Sequence, residues 1–426
     1  MLRSNQNSIR EVGFFMSVNP LQVYAISIPE KDKLYNTESV KNGLDEQEII
    51  TGTGEVLVDK KQGKGKENPW RPYKKMNQTL FGIMGQAKKI DSSCISPSAY
   101  IAMERCSSWL LFRRYIESQV MRLDKAEFCR HRLCPVCNWR KSLKLYSQMQ
   151  EVSAELMEEF PTARYLFLTL TVKNVASSQL ADTIDAMNAG FKLLVNSGKN
   201  NASAKPVKAN LLGYAKAMEI KYDPEEFITK EMYNDPKRHP YYILRNLKIG
   251  SKNPNYDMYH PHFHVLLMVK SSFFTTGYIK QSEWTSIWRD CMKLDYDPQV
   301  DIRVIKPNKA RLSESVIENL KQEAMTSAIS ETLKYPVKPD SLKLSLFDDM
   351  VTAQQEKIIQ AVICLSHALR KRRLVTFGGE ILKARKRLQQ DDVEEGSLIG
   401  LDGEPVPETE FELVMFNWMK MGCYVC

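Results

Sequence analysis

The 426-residue chain has no stretch of about 18 unbroken apolar residues, so it offers no membrane-spanning helix. Its first thirty residues lack the charged start, apolar centre and small-residue cleavage site of an export signal, and a cytoplasmic protein is expected. No internal repeat period appears. Its nine cysteines are an odd number, and in a reducing cytosol they read as thiols and metal ligands rather than a disulfide framework. Histidine is scarcer still: there are six, and three of them fall inside HPHFHVLL, residues 260 to 267.

What is present points to a soluble, basic protein. At 43% hydrophobic the chain can bury a sizeable core, and at roughly 150 residues per domain two or three domains are expected. The formal charge of +9, from 60 Lys and Arg against 51 Asp and Glu, favours a polyanionic partner without naming one.

Along the chain, residues 1 to about 75 are polar and interrupted and read as a flexible arm. Helical spacing then surrounds a group of cysteines to about residue 158. From 159 to 345 the period changes. RYLFLTLTV (164 to 172), LLGYAKAMEIKY (211 to 222), YHPHFHVLLMV (259 to 269) and VDIRVIKP (300 to 307) read as strands. SSQLADTIDAMNAGFKLLVN and KQSEWTSIWRDCMKL read as helices, the second capped by Ser282, and a further helix is expected over 313 to 335. Residues 223 to 257, rich in Tyr, Pro, Asn and basic residues, form a long insertion of the kind that is often functional. The expected class is α+β, a four- to five-stranded, mostly antiparallel sheet with helices on one face, followed by a basic region at 346 to 426.

In a strand, side chains at i and i+2 share a face, so His262 and His264 project together and can grip one divalent ion. Such a pair is also compatible with an ordinary surface or hydrogen-bonded role. A third ligand should come from a neighbouring strand, and Glu219 is a carboxylate in an otherwise apolar one. Two imidazoles and a carboxylate suit Mg²⁺ or Mn²⁺ with open positions for phosphate. Downstream, ISETLKYPVKPD puts Glu331 and Tyr335 on one helical face, with Lys334 and Lys338 beside the phenol. A tyrosine flanked by cations is a candidate nucleophile toward a phosphodiester.

The four cysteines Cys106, Cys129, Cys134 and Cys137 are spaced Cys-x₂₂-Cys-x₄-Cys-x₂-Cys and suit a closed tetrahedral zinc site, with His131 the rival to Cys106 as fourth ligand. Arg130, Arg132, Arg140, Lys141 and Lys144 surround them and are expected to face phosphate, as are RKRR (370 to 373, with Arg372 and Arg373) and KARKR (383 to 387). Trp284 and Trp288, at i and i+4, read as helix core.

FLTLTV, HPHFHVLL and ETLKYPVK, in this order, together with FCRHRLCPVCNWRKS, DPQVDIRVIKP and LRKRRLVTFGGEILK, resemble the HUH endonuclease replication initiators of rolling-circle plasmids, the Rep_1 family. The resemblance runs from about residue 70 to the end. It implies an HUH catalytic domain at 159 to 345 and a zinc-binding, DNA-contacting module at 76 to 158. His262 and His264 would be the metal ligands with Glu219 as third, and Tyr335 the catalytic tyrosine. Glu331 stands where two-tyrosine relatives carry their second one, and there it would activate water at termination. The family's motif often reads Asn-Pro-His-Phe-His; here His260 precedes Pro261, so it is kept out of the ligand set as a bracing or DNA-contacting residue. The implied partners are origin DNA, single-stranded at the nick, a host helicase and a DNA polymerase; the implied ions are Mn²⁺ or Mg²⁺ for catalysis and Zn²⁺ for structure. An HUH transposase would do the same chemistry, and a non-catalytic zinc-dependent regulator would keep only the DNA binding.

Overall fold

The computed structural model describes residues 48–58, 69–196, 202–236, 238–305, 329, 337, 339–401 and 407–426. Its strands in chain order are β1 (Ile49–Ile50), β2 (Trp109–Tyr115), β3 (Met121–Ala126), β4 (Arg164–Thr171), β5 (Leu211–Asp223), β6 (Met258–Val269), β7 (Val300–Val304), β8 (Val375–Gly378), β9 (Phe411–Trp418) and β10 (Tyr424–Val425). The class is α+β, as expected.

The four segments read as strands are β4 to β7, and with β8 they make one sheet in the order β7-β4-β6-β5-β8, each neighbouring pair antiparallel. β6 lies at the centre and is buried along almost its whole length, which explains a continuous rather than alternating apolar run. Pro261 interrupts little, because β4 pairs no further than Thr171 with His262 and the next contact on that side is the Val175–Tyr259 bridge.

One face of this sheet sends Met218, Ile220, Phe263, Val265 and Leu267 into the larger core, against helices Ser177–Val195 and Gln281–Met292. Trp284 and Trp288 are buried there, and Trp288 Nε1 donates to the Thr171 carbonyl at 2.9 Å, tying that helix to the end of β4. The helix starts two residues earlier than Ser282 as cap would place it. Lys280 is the cap, its N–H donating to the Glu283 carboxylate at 2.6 Å, where the charge also meets the positive end of the helix dipole.

The other face carries Ala215, Ala217, Leu266 and Met268 beneath helices Pro135–Glu159 and Gly379–Arg387. Helices therefore cover both faces, where one had been expected. The second cover depends on a sharp return after β8: Gly379 has φ +61°, and a Cβ there would stand 2.1 Å from the Leu212 carbonyl oxygen.

A second sheet, β1-β9-β2-β3 with β10 on β9, was not anticipated. It encloses a core of Trp70, Phe112, Phe416 and Tyr424 together with Cys106, Cys134 and Cys137. Two features of the expected layout change with it. Residues 48–58, assigned to a flexible arm reaching about residue 75, pair with the end of the chain through Ile49–Leu413 and through Leu57 N to Tyr424 O at 3.0 Å, and a helix, Trp70–Ile90, begins at Trp70. The 346 to 426 region is not one body: helix Thr352–Leu369 and β8 join the first sheet's layers, and β9 and β10 join the second sheet. The helix expected over 313 to 335 lies outside the described residues apart from Ile329, which is helical and buried. Among the described residues, no helix is long and apolar enough to cross a membrane.

Candidate functional site

Antiparallel register places Glu219 of β5 directly opposite His262 of β6, and the two-residue period puts His264 on the same face. Glu219 Oε2 lies 3.0 Å from His264 Nε2 and 3.4 Å from His262 Nε2. Both imidazoles thus aim the same nitrogen at one carboxylate oxygen. Each orientation has a support: His262 Nδ1 donates to the His260 carbonyl at 3.2 Å, and His264 Nδ1 is 3.4 Å from Thr169 Oγ1. With the Nδ1 proton held by a carbonyl, Nε2 of His262 keeps its lone pair for a ligand role. The His264 ring also stacks on Phe167, with centroids 5.6 Å apart and planes at 26°.

All three side chains are buried, and Glu219 is only 2% exposed. A carboxylate so enclosed is costly unless a cation or strong donors face it. One oxygen and two nitrogen donors within 4.8 Å of one another fit a divalent ion, and three ligands leave coordination positions for a substrate oxygen.

His260, kept out of the ligand set, continues the same face. Its Nδ1 donates to Asn174 Oδ1 at 2.7 Å, and Asn174 Nδ2 donates to Asn255 Oδ1 at 2.8 Å. Burial, and then the neighbouring His262, depress the His260 pKa to about 3, so this ring is neutral at physiological pH. Opposite His260 in the register is Lys221, exposed and two residues beyond Glu219. Asn174 and Lys221 were not singled out from sequence; the period-2 continuation of the His-x-His pattern onto the paired strand was the available signal for Lys221.

Tyr335, Glu331, Lys334 and Lys338 lie outside the described residues. Their flanks do not. Ile329 packs among Ala215, Ala217, Leu266 and Met268, on the sheet face that also carries Glu219, His262 and His264, and Val337 bridges Ile220, the residue after Glu219.

The four cysteines gather as a second group. Sγ separations are 3.7 Å for Cys106–Cys134, 3.6 Å for Cys106–Cys137 and 3.7 Å for Cys129–Cys137. A tetrahedron with Zn–S bonds of about 2.3 Å has edges of about 3.8 Å, so these thiols are spaced to hold zinc. Arg130 N and Asn77 Nδ2 donate to Cys137 Sγ and Cys134 Sγ at 3.2 and 3.3 Å, as thiolates require. Of the two candidates for the fourth position, Cys106 lies with the other three thiols, and His131 Nδ1 accepts from Leu133 N at 3.3 Å.

The Rep_1 family of replication proteins matches the chain over residues 120–424. Curated relatives are named "Protein rep" in Bacillus amyloliquefaciens (34% identical over 370 residues, 85% of this chain and 94% of the relative) and in Streptococcus pneumoniae (33% over 347 residues, 81% and 87%). A "Replication protein" of Staphylococcus aureus is 31% identical over 283 residues, 65% of this chain and 97% of the relative. The chain belongs to the Rep_1 family. No solved structure matches it. The Rep_1 match includes Glu219, His262, His264 and three of the cysteines, while Cys106 lies before it.

The basic residues of this Rep_1 chain are disposed differently from the expectation that they face phosphate. Arg140 is fully buried, with its guanidinium 5.3 Å from both the Trp70 and Trp139 rings and its Nε and Nη2 donating to the Leu398 carbonyl at 3.0 and 2.9 Å, so it cannot touch DNA. The acidic loop after residue 390 takes up its neighbours: Lys141 and Arg132 pair with Glu394 at 2.7 and 3.4 Å, Lys144 pairs with Asp391 at 3.2 Å, and Arg130 Nη1 donates to the Glu394 and Gly396 carbonyls. Arg372 is bound to both oxygens of Asp185 at 2.7 and 2.5 Å. Arg373 stays exposed.

Proposed function

We propose that this Rep_1 protein is a plasmid rolling-circle replication initiator of the HUH type, nicking one strand of the double-strand origin by tyrosine transesterification. The observation that carries the reading is the buried Glu219–His262–His264 cluster, whose two Nε2 atoms meet one carboxylate oxygen on adjacent strands. A second observation supports the nucleophile. Val337, two positions after Tyr335 in the sequence, bridges Ile220, the residue next to Glu219.

Glu219, His262 and His264 would hold Mn²⁺ or Mg²⁺, which when bound neutralises charge on the non-bridging oxygens of the scissile phosphate. Tyr335 Oη attacks phosphorus and loses its proton to solvent; the P–O3′ bond breaks, the 3′-oxygen leaves as a free hydroxyl, and the 5′-phosphate stays on the tyrosine. Lys334 and Lys338 favour the phenolate and the approaching phosphate. The freed 3′-hydroxyl primes a host polymerase behind a host helicase, in the cytoplasm where plasmid DNA lies. At termination Glu331 takes a proton from water, which cleaves the P–O3′ bond of the regenerated origin site; the 3′-hydroxyl so released attacks the phosphotyrosine, joining the strand into a circle and returning Tyr335 as the free phenol. Cys106, Cys129, Cys134 and Cys137 would hold Zn²⁺ as a structural ion beneath the second sheet.

The test is to incubate wild type and Tyr335→Phe with single-stranded oligonucleotides tiling the parent replicon plus Mn²⁺, and to resolve protein–DNA adducts on a denaturing gel. An adduct formed by wild type alone is expected. An equal adduct with the variant, or none from any segment, would overturn the reading.

A further inference from the structure

The insertion between β5 and β6 is a small folded arm. It leaves the sheet at Asp223 and returns at Met258, and it has its own core of Ile228, Met232 and Tyr242. Hydrogen bonds Ile228 N to Ser251 O at 2.9 Å and Asn253 Nδ2 to Glu225 O at 2.8 Å close its base, and Arg238 pairs with Asp223 at 3.2 Å. The outer turn is built on Asn246 at φ 53° and Gly250 at φ +83°.

That turn presents apolar side chains to solvent. Leu244 is 86% exposed, the most exposed large hydrophobic residue described, and Ile243 and Ile249 are exposed by 56% and 54%. Such a concentration marks a contact surface. Charge identifies the partner: residues 236 to 256 contain five Lys and Arg and no Asp or Glu. Of these, Arg245, Lys248 and Lys252 form no ion pair among the described residues, while Arg245 lies 4.8 Å from the Tyr241 ring. An apolar tip ringed by unpaired cations suits nucleic acid, whose base steps accept apolar wedges and whose phosphates accept the cations. A protein partner would need an acidic rim to match.

Position gives the arm its task. Asp223 is four residues beyond Glu219, and Met258 is four before His262, so at about 3.3 Å per residue the arm is rooted some 13 Å from the cluster. We propose that the arm is a strand-separating wedge: Leu244 and Ile249 insert into the duplex beside the scissile bond, Arg245, Lys248 and Lys252 grip the backbone, and the freed strand passes to the cluster. This rests on the reading above that the cluster nicks a single strand.

The experiment uses full-length protein and a linear origin duplex carrying 2-aminopurine within five base pairs of the nick, alongside the same site as a single-stranded oligonucleotide. Wild type should raise the 2-aminopurine fluorescence on binding. Leu244→Ser/Ile249→Ser should lose at least nine-tenths of that rise and of duplex nicking, yet nick the single strand within twofold of wild type. Arg245→Gln/Lys248→Gln/Lys252→Gln should lower the slope of log affinity against log salt by about 2 to 3. An unchanged fluorescence rise in the Ser variant, or an equal loss of nicking on both substrates, overturns the wedge. Failure of the underlying reading is distinct: wild type would then nick neither substrate while the fluorescence rise still reports strand separation.

Discussion

Replacing Glu219 by Gln separates a metal ligand from a structural brace, because the two roles predict opposite behaviour in the two states of the site. The carboxylate is 2% exposed and stands 3.0 and 3.4 Å from two imidazole nitrogens. It is the only anionic side chain of the three, and the amide preserves its shape while removing that charge. Changing residues that merely support metal ligands costs 10–100-fold in affinity, so loss of a direct ligand should cost at least about 100-fold, or about 2.8 kcal/mol. At a Mn²⁺ concentration near 100 times the wild-type dissociation constant, wild type gains about 2.7 kcal/mol of stability and the variant about 0.4 kcal/mol. In metal-free buffer the expectation differs. The amide removes a buried charge while keeping the side chain's shape, so the variant should lie within about 1 kcal/mol of wild type or above it. Thermal melts at pH 7.5 in resin-treated buffer, with and without Mn²⁺, measure both quantities. A variant that keeps the full Mn²⁺ shift, or that loses more than about 3 kcal/mol without metal, would refute the ligand assignment.

Three further outcomes follow from the packing. Arg140→Ala should destabilise the protein by about 2–4 kcal/mol, since it strands the Leu398 carbonyl and empties the space beside Trp70 and Trp139, yet leave the salt slope of DNA binding unchanged; urea unfolding and a salt titration check both. Gly379→Ala should cost more than about 2 kcal/mol in the same unfolding assay, because its Cβ would clash with a backbone oxygen at a positive φ. Lys216, buried between Phe191 and Phe263 with its Nζ 2.7 Å from Asn188 Oδ1, has its pKa depressed to about 8, mainly by burial and secondarily by Lys192. The unfolded chain binds this proton up to about pH 10.4 and the folded one only to about 8, so wild-type stability should rise by up to about 3 kcal/mol across that window. Lys216→Met should abolish that rise, and its advantage over wild type should be greatest below pH 8; a pH-independent difference between the two in denaturant melts from pH 7 to 10.5 would contradict the assignment.

Local pattern carried the central sheet because its strands are defined by their own side chains. β4, β5 and β6 end within one residue of the segments read as strands, since β-branched and aromatic runs bounded by polar residues state both period and length. The Glu219–His262 juxtaposition was legible for a related reason. A lone carboxylate in an apolar strand needs a partner, and a neighbouring strand with two imidazoles on one face supplies it. The second sheet was not legible in this way. β2 pairs with β9 about 300 residues later, and nothing in the local period of either strand names a partner that distant.

The basic residues near the cysteines show a different limit, since charge in a sequence carries no sign of what faces it. Helix Pro135–Glu159 buries Arg140, Lys141 and Lys144 because a loop 250 residues downstream brings Glu394 and Asp391 to them and the Leu398 carbonyl to Arg140. The rule that Lys and Arg runs mark solvated or nucleic-acid faces fails where an acidic segment of the same chain has already satisfied them. By the same reasoning the 236 to 256 stretch regains significance: it holds no acid of its own, and Arg245, Lys248 and Lys252 receive none from elsewhere among the described residues. A cation left unpaired beside exposed Leu244 is stronger grounds for a DNA contact than a denser run of charge that the fold has neutralised.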